Sequence, residues 1–177
     1  MGRLIIYASR YGAAKRYAEE LSARTGIPAV SFERAKRSEG CETAVFFGGV
    51  YAGNVYGLRK AARRLARQPV RSLIVAPVGI ADPADAAVAE SLRVGIGRAL
   101  PQNLRGKEKI VPLRGSLDCS RLGFFHRTLL KLLYKSMKNK REEELPAEMR
   151  ALVQVYGRAE DFVDFSALEK IEALLHA

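Results

Sequence analysis

The chain is poor in the residues that build metal centres and covalent staples. Its 177 residues include two cysteines, Cys41 and Cys119, and two histidines, His126 and His176. The cysteines lie far apart with no CxxC pair, so neither a metal site nor a disulfide framework is expected. The histidines lack ligand-spaced neighbours and read as surface positions. No apolar run is long enough to span a bilayer. The opening "MGRLIIYAS" passes directly into a helical pattern, without the apolar stretch and small-residue cleavage site of a signal peptide. A cytoplasmic location is the expectation. GxxxxGK[ST] is missing, which removes ordinary P-loop hydrolysis, and so is the GxSxG elbow. The short-spaced glycines of "VGIGRAL" fall inside a helical pattern, not directly after a strand, so they make a poor nicotinamide site.

Acidic residues are also scarce. Nineteen Asp and Glu against thirty Lys and Arg leave a formal charge of +11, a field that favours polyanionic partners. The excess gathers in "RKAARRLARQPVR" and "FFHRTLLKLLYKSMKNKR". Each suits the solvated face of a helix. Nucleic acid is the weakest of the candidate partners, because no reader motif or repeated aromatic platform accompanies the charge.

What the chain does contain is an alternation. Apolar runs at 3–8, 43–49, 72–78 and 109–115 have the length and branching of buried parallel strands, and a shorter, more polar run lies at 28–33. Helical patterns near 13–25, 57–68 and 84–100 separate them. The 48% of hydrophobic residues suffices for one core, so a single domain over 1–177 is expected. The fold class is α/β: a doubly wound, five-stranded parallel sheet of order 2-1-3-4-5, with the short second strand at its edge. A basic helical segment at 121–141 follows the fifth strand.

Ligands of such a sheet bind beyond the carboxyl ends of the strands, at the switch point between the first and third. Three loops meet there: "SRYGAA", "GGVYAGNVYG" and "GIADPADA". The first opens a helix whose initial amides favour an anion, although Ser9 also suits a helix cap and Gly12 a turn. The second brings glycines for close approach and Tyr51 and Tyr56, which suit either stacking or packing. The third offers amides ahead of a helix, with Asp82 and Asp85 read as turn and helix-start charges. A phosphate joined to a flat ring fits all three.

The order "IIYASRYGAAKRYAEEL", "FFGGVYAGNVYG", "VGIADP" resembles the flavodoxin-like flavoproteins over nearly the whole chain. The late segment "GSLDCSRLGFFHRTLLKLLYKSMKNK" is similar to the extension of menaquinone-dependent protoporphyrinogen oxidases and their flavodoxin-domain relatives. The resemblance implies FMN, held at its phosphate by Ser9, Arg10, Tyr11, Gly12, Ala13 and Ala14. The ring would lie between Tyr51, Ala52, Gly53 and Asn54 on one side and Gly79, Ile80, Ala81 and Asp82 on the other. Ala14 departs from the family's usual threonine, which removes a hydroxyl from the phosphate. Arg10 or Lys15 would have to compensate. The implied activity is an FMN-dependent oxidoreductase passing electrons from an organic substrate, porphyrinogen in that group, to a quinone or other acceptor. An electron carrier without its own substrate and a flavin-free binding module are the alternatives. In 121–141, Phe125, Leu129, Leu132 and Leu133 share one face and Arg127, Lys131 and Lys138 the opposite one. That pattern fits a helix packed on the domain's own sheet, or one lying peripherally on the anionic inner face of a membrane.

Overall fold

The computed structural model describes residues 2–35, 40–51, 53–118, 124–141 and 144–176, with the side chains of 124–126 and 147–148 outside the description. Ala52 and Cys119 lie outside the described residues, as does the side chain of His126. His176 is exposed and Cys41 is a buried free thiol, whose pKa is raised by that burial.

The chain runs β1 (Gly2–Ala8), α1 (Ala13–Thr25), β2 (Ala29–Ser31), β3 (Cys41–Tyr51), β4 (Asn54–Val55), α2 (Leu58–Leu65), β5 (Ser72–Gly79), α3 (Ala86–Ala99), β6 (Glu108–Ile110), β7 (Leu113–Arg114), β8 (Ser116–Asp118), α4 (Phe124–Met137), α5 (Ala147–Val155), β9 (Ala159–Asp161) and α6 (Glu169–His176). The parallel sheet has the order β2-β1-β3-β5-β6. With the two-residue β4 set aside as an antiparallel hairpin partner of β3, this is the order expected from the sequence.

The continuous apolar runs follow from burial on both faces. Leu4, Ile6, Phe46, Leu73 and Val75 enter the core beneath α2 and α3, while Ile5, Val45, Phe47, Ile74 and Ala76 enter the core beneath α1 and α6. Successive strand residues thus point to opposite layers, and both layers are apolar.

Several expected boundaries are corrected. The second strand contracts from 28–33 to Ala29–Ser31, with Phe32 turning inward against Tyr56. The second helix stops at Leu65 and the third spans Ala86–Ala99. The strand expected at 109–115 is broken: Glu108–Ile110 and Leu113–Arg114 both pair with β5, and Pro112, which has no N–H to donate, sits in the gap. After Gly115 the chain leaves the sheet, and β8 pairs antiparallel with β9. The elements α5, β9 and α6 are additions to the sequence reading. Leu168, Ile171 and Leu175 seat the last helix on the core.

Candidate functional site

At the carboxyl ends of β1, β3 and β5 the three loops converge on one cavity of about 380 Å³, within the range of cofactor-sized sites. Nine of the fourteen expected site residues line it: Ser9, Arg10, Tyr11, Ala13, Ala14, Tyr51, Gly79, Ile80 and Ala81. Four do not. Gly12 makes the turn, Gly53 rests its carbonyl against α3, Asn54 pairs with Tyr51 in the hairpin, and the Asp82 carboxylate accepts from the Ala84 amide at 2.9 Å. Ala52 is outside the described residues.

The first loop is built to leave amides available. Gly12 has φ +99°, a left-handed conformation that glycine adopts without cost. Its amide donates to the Ser9 hydroxyl at 3.0 Å, so Ser9 braces the turn one residue before the helix begins. No side chain caps α1. The amides of Ala13, Ala14 and Lys15 therefore have no acceptor within the helix, and the helix dipole adds positive potential at the same place. This corrects the simple capping role for Ser9. Of the two cations expected to compensate for the missing threonine hydroxyl, Lys15 pairs with Glu19 at 3.4 Å, and Arg10 lines the cavity with its guanidinium 4.5 Å from the Tyr56 ring.

The second loop is an aromatic cluster. Tyr51 meets Tyr11 and Tyr56 edge-on, with centroids 6.0 and 6.1 Å apart. Its hydroxyl lies over Gly49, where a Cβ would come within 2.9 Å of it. Burial, together with the neighbouring Tyr11, pushes the Tyr51 phenol up to about 12, opposed by Arg10. Tyr56 belongs to packing, against Phe32 at 5.5 Å. Tyr51 alone of the two presents its ring to the cavity.

The third loop is held from behind. The Arg114 guanidinium donates to the Ile80 carbonyl at 3.2 Å and stacks 3.8 Å above Phe162. The Gly115 amide donates to the Gly79 carbonyl at 2.7 Å. Asp85 caps α3 through the Ala87 amide at 2.8 Å and also meets Arg150 of α5 at 3.4 Å. The expected turn and helix-start roles of Asp82 and Asp85 therefore hold.

The sequence reading missed how far the cavity extends. Beyond Ile80 it runs under α4 and α5, lined by Leu129, Leu130, Leu133, Met149 and Leu152. The leucine periodicity of α4 was the available signal, but it groups Leu132 on one face with Leu129 and Leu133. Leu132 is 60% exposed, and Leu129, although it lines the cavity, remains 46% exposed.

A five-stranded doubly wound sheet with an uncapped helix start and an aromatic loop at its switch point defines an α/β protein of the mononucleotide-binding type. A flavodoxin domain model matches residues 4–144, and the chain belongs to that family. Compared with curated proteins, it matches none. Flavodoxin domains generally bind flavin, usually FMN, so the fold is that of a flavin-binding redox protein. The residues present suit that group: free helix amides for a phosphate, and Tyr51, Val50, Pro77 and Ile80 as apolar walls for a flat ring. Among the described residues no helix is long and apolar enough to cross a membrane, and no cluster of metal-ligating side chains occurs.

Proposed function

We propose that the chain is an FMN-dependent oxidoreductase, similar to the protoporphyrinogen oxidase group, that passes electrons from a reduced organic substrate to a quinone or other acceptor. The observation that carries this reading is the apolar continuation of the cavity beneath α4 and α5. An electron carrier needs only an accessible cofactor edge. Here Leu130, Leu133, Met149 and Leu152 offer an apolar annex beside the ring-binding loops, a surface suited to a largely apolar reactant.

The bound flavin would supply the electron-transfer chemistry itself. The chain's residues have the remaining tasks. The amides of Ala13, Ala14 and Lys15 and the Ser9 hydroxyl hold the phosphate. Arg114 fixes the Ile80 carbonyl and so the edge of the third loop. Tyr51, like any phenol, is neutral across the physiological range, and burial moves its ionisation further off, to about 12. It therefore serves as an uncharged wall and hydrogen-bonding phenol, not as a proton shuttle near neutrality.

The exposed Leu129 and Leu132, flanked by exposed Lys131, Lys135 and Lys138, support a peripheral contact with an anionic membrane, from which a quinone would enter. Vesicle sedimentation tests that part. The protein should bind anionic vesicles at low salt, and reversal of the three lysines to glutamate should release it.

Turnover tests the whole. The FMN-loaded protein should oxidise a porphyrinogen with a menaquinone analogue as acceptor, and Leu130→Arg should raise KM for the porphyrinogen about tenfold by placing a charge in the annex. A protein that binds FMN and exchanges electrons with protein partners, but turns over no porphyrinogen, would instead be a carrier.

A further inference from the structure

Helix α2 and the turn after it carry a second feature that the cavity does not use. Between Leu58 and Arg71 there are six cationic side chains on the α2 side, Arg59, Lys60, Arg63, Arg64, Arg67 and Arg71, and no acidic residue. At about 100° per residue, Arg59, Lys60, Arg63 and Arg64 fall within an arc of roughly 140°. The buried residues Leu58, Ala61, Ala62 and Leu65 occupy the opposite side. Arg64 is half-buried and donates to the Phe32 carbonyl, which anchors the helix. Arg59, Lys60, Arg63, Arg67 and Arg71 are exposed, and none pairs with a carboxylate among the described residues.

Helices α1 and α3 neutralise several of their surface cations. Lys15 meets Glu19, Arg24 meets Glu20 and Glu172, and Arg93 meets Glu90. On α2 the like charges sit three and four residues apart, a spacing at which they repel. An unneutralised face of this kind costs stability and gains a strong local field.

We infer that the α2 face docks an acidic electron-carrier protein beside the mouth of the cavity; the choice of an electron carrier rests on the redox role proposed above. Gly57, the N-cap of α2, directly follows Tyr56. Tyr56 in turn lies 6.1 Å from Tyr51 and 4.5 Å from the Arg10 guanidinium at the cavity. The run from Arg59 to Leu65 is about 9 Å long at 1.5 Å per residue. A partner footprint of about 800 Å², roughly 30 Å across, would cover this face and the Tyr51 rim together. Lipid is a poor fit, because the α2 leucines are buried and leave nothing to enter an acyl layer. Single-stranded nucleic acid is a poor fit, because Tyr56 is packed on Phe32 and the face offers no ring for stacking. The planar guanidinium forks match carboxylates in bidentate fashion.

The test uses the full chain and an oxidised, acidic plant-type [2Fe–2S] ferredoxin as probe, titrated at about 0.01 M and about 0.15 M salt, where the screening length falls from roughly 30 to 8 Å. Saturable binding that weakens about tenfold or more over that range is expected. The triple variant Arg59→Glu, Arg63→Glu, Arg67→Glu should lose it. The corresponding triple change to lysine should keep most of it, and Lys170→Glu on α6 should leave it unchanged. Carbodiimide coupling of the unmodified protein should join Lys60 to a probe carboxylate, which keeps the inference testable if the triple reversal unfolds. No binding at low salt, binding indifferent to the reversal, or tighter binding of a duplex DNA oligonucleotide through the same arginines overturns it. Flavin content is read from the absorption spectrum of the same samples. Ferredoxin binding by a protein that takes up no FMN would leave the docking face standing while removing the redox reading.

Discussion

Gly95 and Gly97 lie two residues apart in α3, and the same substitution at each should move stability in opposite directions. A Cβ at Gly95 would stand 2.5 Å from the Gly53 carbonyl oxygen, whereas one at Gly97 would meet nothing within 4 Å. Carbon–oxygen contacts settle near 3.3 Å, so Gly95→Ala must part the helix and the β3–β4 turn by about 0.8 Å. Overpacking of that kind costs roughly 1–3 kcal/mol, against a helix-propensity gain of up to about 1 kcal/mol from replacing glycine. The net is a loss of about 0–2 kcal/mol. Gly97→Ala keeps only the gain, about 0.5–1 kcal/mol. At roughly 2–4 °C per kcal/mol for a chain of this size, Gly95→Ala should melt about 1–12 °C below Gly97→Ala. Because Gly53 belongs to the turn that carries Tyr51, Gly95→Ala should also weaken FMN binding while Gly97→Ala leaves it alone. Thermal melts and FMN titrations of the two variants check this. Equal stabilisation of both would refute the close approach of helix and turn.

Other expectations follow from single groups. Ala14→Thr restores a hydroxyl at the uncapped helix start, and one added hydrogen bond to a charged phosphate, about 1.5–3 kcal/mol, should tighten FMN binding roughly tenfold to a hundredfold; unchanged affinity would place the phosphate elsewhere. Tyr17, fully buried, donates to the Arg114 carbonyl at 2.8 Å and accepts from the Asp164 amide at 2.9 Å. Tyr17→Phe strands both groups and should cost about 1–3 kcal/mol in a denaturant melt. Burial raises the phenol pKa of both Tyr17 and Tyr51 above 10.0. Their contribution to stability is therefore full below the unfolded value and lost as pH rises through the folded one. Melting temperature should fall with pH above about 10, and less steeply in Tyr17→Phe; a rise above that pH would contradict the buried phenols.

How much was legible in advance depends on which interaction fixes each element. The runs Leu4–Ala8, Ala44–Gly48 and Leu73–Val78 were readable because burial on both faces forces every residue to be apolar or small. The switch-point loops were readable because amides at a helix start and a left-handed Gly12 are local properties. The fifth strand misled, since Pro112 sits inside an apolar run and its cost appears only when β5 is the partner across it. The annex was illegible for a different reason. Leucines on α4 span a wide arc, and which edge faces inward is decided by α5, tied to α3 through Arg150 and Asp85 and to α4 by the Tyr134–Tyr156 stack at 4.1 Å. Helical period alone cannot choose between Leu130 and Leu132. Gly95 carried no sequence signal beyond its oddity in a helix, because its reason lies in a carbonyl forty-two residues earlier in the chain.

Whether the switch-point cavity holds FMN is decided by titrating flavin-free protein with FMN. Titration should saturate at one FMN per chain, with the absorption of bound oxidised flavin, preference for FMN over FAD, and binding at least about tenfold weaker in Gly12→Val, whose side chain cannot follow the φ of +99°. Spectra that stay those of free FMN throughout the titration, or a Gly12→Val variant that binds as well as the unaltered chain, would contradict it.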